Sequence, residues 1–306
     1  MPFRRHASPL VLLLCLLCAL LAACKPQPQE LAGATSEPAA AVRDLIGYLQ
    51  RDDLAGFARA AVPAEDYAAL ETAWREDRSR WPLTELPLED RLVPMLAALS
   101  APNAEANLQR SFERQFARQD ADLRDAARSL GLFGVQYVKN EGQYTPEQRL
   151  HYTQVINALS EWGQDAPLGD PALARNTVRS LAAAARTAGI DSEQALREAG
   201  MEGSLRKLSP FFAAAKAGFA RYGLPLEASL TGLRTGLVQQ QGDHATVRIH
   251  YPLGEREIDS QVKLERRGGR WYFSDYLAEA ARARAGAAAT PASEQAPVAP
   301  TPEEID

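Results

Sequence analysis

The chain contains very little cysteine and histidine. Only three cysteines occur among 306 residues, and all of them lie within the first 24 positions. Residues 25–306 therefore cannot form a disulfide, hold a thiolate-bound metal or supply a cysteine nucleophile. Histidine is almost as scarce, since beyond His6 the sequence has only His151, His244 and His250.

Sequence patterns that mark common catalytic and nucleotide-binding sites are also missing. The chain has no H-E-x-x-H, no G-x-S-x-G, no Walker loop and no G-x-G-x-x-G. His244 and His250 stand at the two ends of one predicted strand, roughly 20 Å apart by the strand rise, so they cannot share a metal. His151 has no second histidine and no cysteine three or four residues away on its predicted helix. We therefore expect no metal and no other cofactor.

The amino terminus has the pattern of an export signal. Arg4 and Arg5 precede an apolar stretch over residues 10–21, and this stretch is shorter than the ~20 residues that a membrane span needs. The pair Cys15 and Cys18 lies inside this segment, so we do not interpret its C-x-x-C spacing as a redox or metal site. Residues 1–23 are predicted to be a signal peptide.

The motif Leu21-Ala22-Ala23-Cys24 resembles the lipobox of bacterial lipoproteins. The resemblance implies cleavage before Cys24, a lipid on its sulfur, and attachment to a membrane through that lipid. An ordinary secretory signal that ends beside a cysteine is the alternative. Lys25 stands where the inner-membrane retention signal of this family usually has Asp, which implies the periplasmic face of the outer membrane.

The composition suits a folded, mildly acidic exported protein. Removing residues 1–23 leaves 283 residues, and 46% of the whole chain is hydrophobic, enough for one large domain or two small ones. Loss of Arg4 and Arg5 takes the net charge from −5 to −7, which argues against nucleic-acid binding. Residues 24–38, rich in proline, are predicted to be a flexible tether. Residues 285–306 are predicted to be a disordered tail, either inert or in contact with the cell wall or a partner.

A helical region is predicted between residues 39 and 224. Thr145, Pro146 and Gln148 form a capping-box pattern at one helix start, and Asp170-Pro171 repeats the device at another. The segment 184–198 has the outline of a DNA-binding helix-turn-helix or of a plain helical hairpin, and export with negative charge favours the hairpin. The predicted helices are a pair over residues 40–62, then 103–130, 146–162, 170–189 and 210–222, with a loop and a short helix over 81–99.

The period changes from helical to alternating after residue 226, which predicts an antiparallel sheet of three or four strands. This sheet and a terminal helix together occupy residues 225–284. The Gly242-Asp243 turn would place Val238 opposite Val247. The Gly268-Gly269 turn would place Leu264 opposite Phe273 and Arg266 opposite Trp271. The fold class is therefore α+β, a multi-helix body followed by a C-terminal sheet packed on it as one domain, with a buried face made of Val262, Leu264, Trp271 and Phe273.

The helix pair and the last strand, Gly269-Arg270-Trp271-Tyr272-Phe273-Ser274-Asp275-Tyr276, resemble the cystatin-like, nuclear transport factor 2-like cone fold. The resemblance covers about 80 residues. It leaves some 140 helical residues without a counterpart, so an unfamiliar fold is the alternative. Enzymes of this family use a carboxylate or a histidine–carboxylate pair as a general base. This implies Asp275, or His250 with Asp259, as candidate catalytic residues, although Asp275 would equally cap a helix starting at Tyr276.

Two functional hypotheses follow. The first is a non-enzymatic, membrane-anchored envelope protein that binds a protein partner or a ligand. The second is a cone-type hydrolase or isomerase. The predicted sheet and the turn after it carry five aromatic residues, Tyr251, Trp271, Tyr272, Phe273 and Tyr276. They either line an apolar ligand pocket or belong to the core. If they line a pocket, Tyr251, Trp271 and Tyr276 are the ligand-binding candidates.

Overall fold

A computed structural model describes residues 36–86, 89–141 and 144–289 of the chain. The predicted signal peptide, Cys24 and most of the predicted tether lie outside the described residues, as do residues 290–306.

Ten α-helices precede a four-stranded sheet and one follows it within the described ranges. Two single-turn 3-10 helices, Leu83–Glu85 and Glu89–Arg91, come before α4. The α-helices are α1 Glu37–Gln50, α2 Leu54–Ala61, α3 Ala64–Arg75, α4 Leu92–Ser100, α5 Ala104–Gln115, α6 Asp120–Asn140, α7 Pro146–Asp165, α8 Pro171–Ala188, α9 Glu193–Arg221, α10 Leu226–Thr231 and α11 Ser274–Ala289. The strands are β1 Arg234–Gln241, β2 His244–Leu253, β3 Arg256–Arg267 and β4 Arg270–Phe273. The predicted α+β class, helices followed by an antiparallel sheet, is confirmed.

Several helix boundaries predicted from capping residues are confirmed. The Thr145 hydroxyl accepts the Gln148 N–H at 3.2 Å, while the Gln148 side chain accepts the Thr145 N–H at 3.0 Å. The Asp170 carboxylate accepts two N–H groups at the start of α8, and Gly189 ends that helix with a φ of 60°. Asp53 caps α2 in the same way, so α1 and α2 form the predicted pair.

The prediction of one long helix over residues 103–130 is wrong. The chain forms α5 and α6, separated by residues 116–119, and α6 continues beyond the predicted end. Arg118 has a φ of 63°, and its N–H donates to the Gly169 carbonyl at 3.0 Å. The helical hydrogen-bond pattern is therefore interrupted at Arg118, whose N–H instead bonds to the loop just before α8.

The prediction that a helix begins at Pro210 is also wrong. Pro210 lies inside α9, and the interruption of that helix comes earlier, at Gly200, which has a φ of 69°. The Glu71 carboxylate accepts the Glu202 N–H at 3.1 Å and so caps the second segment of α9. This cap comes from a distant residue on α3, which explains why local sequence patterns did not locate the helix start.

The sheet is an antiparallel meander in the order β1-β2-β3-β4. The predicted pairing of Leu264 with Phe273 and of Arg266 with Trp271 is confirmed. The predicted pairing of Val238 with Val247 is wrong, because Leu237 lies opposite Val247 and the register shifts at a β-bulge beside it. The bulge leaves Val238 exposed on the edge strand.

Helices α1 and α7 cover one face of the sheet. Ala39 and Val42 of α1 pack on a cluster that includes Val247, Leu264 and Trp271, with Val262 and Phe273 partly buried against it. The predicted buried face is therefore confirmed. Ala158 of α7 packs with Leu253 and Ile258 at the other end of the same face. The larger core lies between α2, α3, α4, α8, α9 and α11 and contains the fully buried Trp74 and Trp81.

Gln154 of α7 protects the edge of the sheet. Its amide nitrogen donates to the Asp259 carbonyl at 2.9 Å, and its amide oxygen accepts the Asp259 N–H at 3.0 Å. A side-chain amide thus takes the place of a neighbouring strand where β3 extends past the short β4. This contact fixes α7 against the sheet.

Both ends of the described fold differ slightly from the predicted tether and tail. Helix α1 begins at Glu37, inside the predicted tether. Helix α11 continues to Ala289, so residues 285–289 are helical and their assignment to a disordered tail is wrong. The Arg284 guanidinium forms an ion pair with the buried Asp66 of α3, which holds this end of α11 in place.

Candidate functional site

His250 and Asp259 lie on the face of the sheet opposite α1 and α7, directly across from each other on β2 and β3. Arg248 binds the Asp259 carboxylate through two guanidinium nitrogens, with Nε–Oδ1 at 2.8 Å. The His250 ring contacts Arg234 and lies 3.5 Å from the Glu257 carboxylate. The hydrogen bond from Arg248 lowers the pKa of Asp259, which makes this carboxylate a weaker base.

Asp275 is exposed in the first turn of α11. Because that helix begins at Ser274, the predicted cap of a helix starting at Tyr276 is wrong in position, although a carboxylate here still interacts favourably with the helix dipole. Burial, followed by the charge of Asp275, raises the pKa of Glu85 in the turn before α4.

The five aromatic residues singled out in the sequence do not line one common pocket. The Phe273 and Tyr276 rings stack with centroids 5.1 Å apart, and Tyr276 also contacts Trp81 at 5.4 Å, so both belong to the main core. Burial raises the pKa of Tyr276, which keeps its phenol protonated. Tyr272 is buried on the opposite face of β4.

Tyr251 and Trp271, the other two ligand-binding candidates, lie in different places. The Tyr251 hydroxyl lies 2.9 Å from His151 Nε2 of α7, so this pair joins α7 to β2. Trp271 borders a groove of about 640 Å³ between α1 and the β3–β4 turn, together with Tyr48, Arg51 and Arg270. The Trp271 indole N–H has no hydrogen-bond partner among the described residues.

Helix α6 packs closely on α7 through small residues. A Cβ atom at Gly131 would lie 2.2 Å from Ser160 Oγ, and one at Gly134 would lie 3.2 Å from Ile156. The Ser160 hydroxyl donates to the Ala127 carbonyl of α6 at 3.0 Å. These contacts make Ala127, Gly131 and Gly134 the inner side of α6, and they turn its larger apolar residues outwards.

The outward side chains form an exposed apolar surface. Leu130, Phe133 and Tyr137 recur every three or four residues along α6 and are 69%, 68% and 47% exposed. By helical periodicity, Tyr152 and Leu159 of α7 point to the same flank of the hairpin, and they are 39% and 38% exposed. We call these five residues the α6–α7 apolar face.

The other flank of the hairpin is mainly polar, with two exposed leucines, Leu132 and Leu150. Arg128 of α6 donates to the Gln164 side chain of α7 at 3.1 Å, which identifies this flank. Leu132 lies one helical turn after Arg128 on the same flank and is 67% exposed. Leu132 and Phe133 are thus neighbours in sequence with nearly equal exposure, and their side chains point about 100° apart around the helix axis.

The sequence did not identify the α6–α7 apolar face. The predicted helix over residues 103–130 ends inside this face, and residues 131–140 belong to no predicted element. Two patterns would have found the face: the small residues Ala127, Gly131 and Gly134 at helical spacing, and the absence of charge from Ser129 to Val138.

Comparison with known protein families, curated proteins and solved structures finds no match to this chain. In the described ranges, no group of three or more histidine, cysteine, aspartate or glutamate residues is arranged to hold a metal ion. No helix there is both long and apolar enough to cross a bilayer.

Proposed function

We propose that this chain is a lipid-anchored protein of the periplasmic face of the outer membrane that binds a protein partner through the α6–α7 apolar face. The observation that carries the proposal is the size of that face. Contiguous apolar patches on soluble monomers rarely exceed a few hundred Å², and the largest ones are often binding sites. Five large side chains that point away from the core form a patch of this kind.

The anchoring part of the proposal rests on the lipobox resemblance and on the position of α1. Twelve residues, 25–36, separate Cys24 from the start of α1. A fully extended segment of this length reaches about 40 Å. The folded part would therefore stay within one protein diameter of the membrane, where an envelope partner is within reach.

The surroundings of the candidate catalytic residues favour a binding protein over a cone-type enzyme. His250 and Asp259 are engaged with arginines on the outer face of the sheet, and Asp275 is exposed at a helix start. None of the three candidates lies on the face of the sheet that packs on α1, which Ala39 and Val42 fill. Substitution of Asp275 or His250 by alanine is accordingly expected to leave partner binding unchanged.

Anchoring is tested on the amino-terminal peptide of the native protein. Mass spectrometry of the full chain purified from its own membranes should show Cys24 as the first residue, carrying acyl chains. The variant Cys24→Ser should lose the lipid. Recovery of the protein from the cytosol with an unmodified amino terminus would contradict this part of the proposal.

Partner binding is tested by photocrosslinking in living cells. The photoreactive amino acid p-benzoylphenylalanine replaces Phe133 in one full-length chain and Leu132 in another, and adducts are compared after irradiation. The proposal expects a discrete protein adduct from position 133 and at most a trace from position 132, since both sites are equally exposed in the isolated fold. Equal labelling from both positions, or none from position 133, would remove the α6–α7 apolar face as the binding surface.

A further inference from the structure

The central stripe of the α6–α7 apolar face is nearly symmetric about Phe133. Leu130 lies three residues before it and Tyr137 four residues after it. The helical rise places them roughly 4.5 and 6 Å to either side of Phe133 along the axis. If two α6 helices cross antiparallel, Phe133 meets its counterpart, and Leu130 of each copy meets Tyr137 of the other.

The charge distribution permits such a pairing. No charged residue occurs from Ser129 to Val138, so two copies of the stripe can approach without bringing like charges together. Antiparallel helices also place opposite dipole ends side by side. Because the stripe has no charge, it cannot recognise a partner by charge complementarity. A second copy of the same uncharged stripe can pack on it without electrostatic repulsion.

The area of the face agrees with what a dimer needs. A large aromatic side chain presents roughly 200 Å². If the leucines count similarly, the exposed fractions of the five side chains correspond to about 500 Å² per copy. Two copies would cover about 1,000 Å² before neighbouring polar atoms are included, which reaches the lower limit of a specific interface.

We infer that the partner of the α6–α7 apolar face is a second copy of this chain, docked about a two-fold axis near Phe133. The inference rests on the proposed function and specifies its partner. The two hairpins would form a four-helix bundle in which Phe133 packs on Phe133 of the second copy. The lipid anchors of both copies would then hold one dimer at the membrane.

Co-purification of two differently tagged full-length chains, expressed together, tests the inference. The wild-type pair should co-purify, Phe133→Glu on both copies should lower recovery of the second tag at least about tenfold, and Leu132→Glu should retain it. Tyr137→Glu, a second substitution on the stripe, should act like Phe133→Glu. Thermal unfolding of each variant confirms that the fold is retained.

The remaining outcomes separate this inference from the proposed function. If the tagged copies do not co-purify while position 133 crosslinks to a different protein, the second copy is excluded and partner binding stands. If no co-purification and no adduct from position 133 are found, both proposals fail. If all variants co-purify as well as the wild type, any self-association uses another surface and the inference is overturned.

Discussion

His151 Nε2 of α7 lies 2.9 Å from the Tyr251 hydroxyl of β2, and this contact joins the α6–α7 hairpin to the sheet. Burial raises the pKa of Tyr251 to about 12, so its phenol stays protonated at any physiological pH. Burial also lowers the pKa of His151. A neutral imidazole can accept the phenol hydrogen, whereas an imidazolium cannot.

The His151–Tyr251 pair predicts a loss of stability in mild acid. Because the pKa of His151 is lower in the folded protein than in the unfolded chain, protonation favours unfolding. The free energy of unfolding should therefore fall as the pH drops below about 6.5, the ordinary value for histidine. Urea unfolding at pH 7.5 and pH 5.5 measures this loss, and His151→Gln, which does not titrate, should show a smaller one. An equal loss in both proteins would contradict the assignment.

The edge contact made by Gln154 predicts a large effect of a single-atom change. In Gln154→Glu a carboxylate oxygen replaces the amide nitrogen and faces the Asp259 carbonyl, so a hydrogen bond becomes a repulsion. We expect the free energy of unfolding to fall by about 1–3 kcal/mol. Gln136→Glu on the exposed side of α6 is the matched control and should change it by less than about 0.5 kcal/mol. Similar urea midpoints for the two variants would contradict the role of Gln154.

The different surroundings of two helical glycines predict different effects of alanine substitution. Gly131→Ala places a methyl group against Ser160 and should destabilise the fold by about 1–3 kcal/mol. Gly203→Ala in α9 meets only Ala199 at 3.6 Å, and should be neutral or stabilise the helix by up to about 1 kcal/mol. Thermal unfolding of both variants decides the matter. If Gly131→Ala leaves the midpoint unchanged, the helices are farther apart than described.

The buried ammonium group of Lys216 in α9 is expected to stabilise the fold through its polar contacts. Its ammonium group lies 2.9 Å from the Asp52 carboxylate and 2.7 Å from that of Glu227, and it donates to the Leu49 carbonyl at the end of α1. Burial lowers its pKa, but the hydrogen bonds to Asp52 and Glu227 outweigh this and raise it overall.

The variant Lys216→Met should lower the free energy of unfolding by about 2 kcal/mol, because the carboxylates and the carbonyl lose a charged donor. Lys207→Met, on the exposed side of the same helix, should change it by less than about 0.5 kcal/mol. Denaturant titrations of the two variants make the comparison. A Lys216→Met protein as stable as Lys207→Met would show that the ion pairs contribute nothing.

The sequence was sufficient where the determinants of structure are local. Thr145 with Gln148, Asp170 and Gly189 set helix ends through contacts within four residues, and the Gly268-Gly269 turn fixed the register of β3 with β4. Prediction failed where distant residues decide. The Glu71 carboxylate caps a helix segment that begins beyond Gly200, and the bulge beside Leu237 shifts a register that the turn alone would set differently.

The candidate site was missed from the sequence for a related reason. Sequence reasoning from hydrophobicity expects the large apolar side chains of a helix to be buried. In α6, however, the small residues Gly131 and Gly134 face α7, because the two helices pack too closely for larger side chains at these positions. Leu130, Phe133 and Tyr137 are consequently turned outwards. The contacts with Ser160 and Ile156 of α7 show directly which side of α6 is buried.

The central claim, that protein covers the α6–α7 apolar face in the working state, is tested most directly by hydroxyl-radical footprinting of the full chain in its native membranes. For each residue, the oxidation rate in the membrane is divided by the rate in the urea-unfolded chain. We predict severalfold stronger protection of Phe133 than of Leu132, although the two are equally exposed in the isolated fold. Equal protection of the two residues would contradict the account.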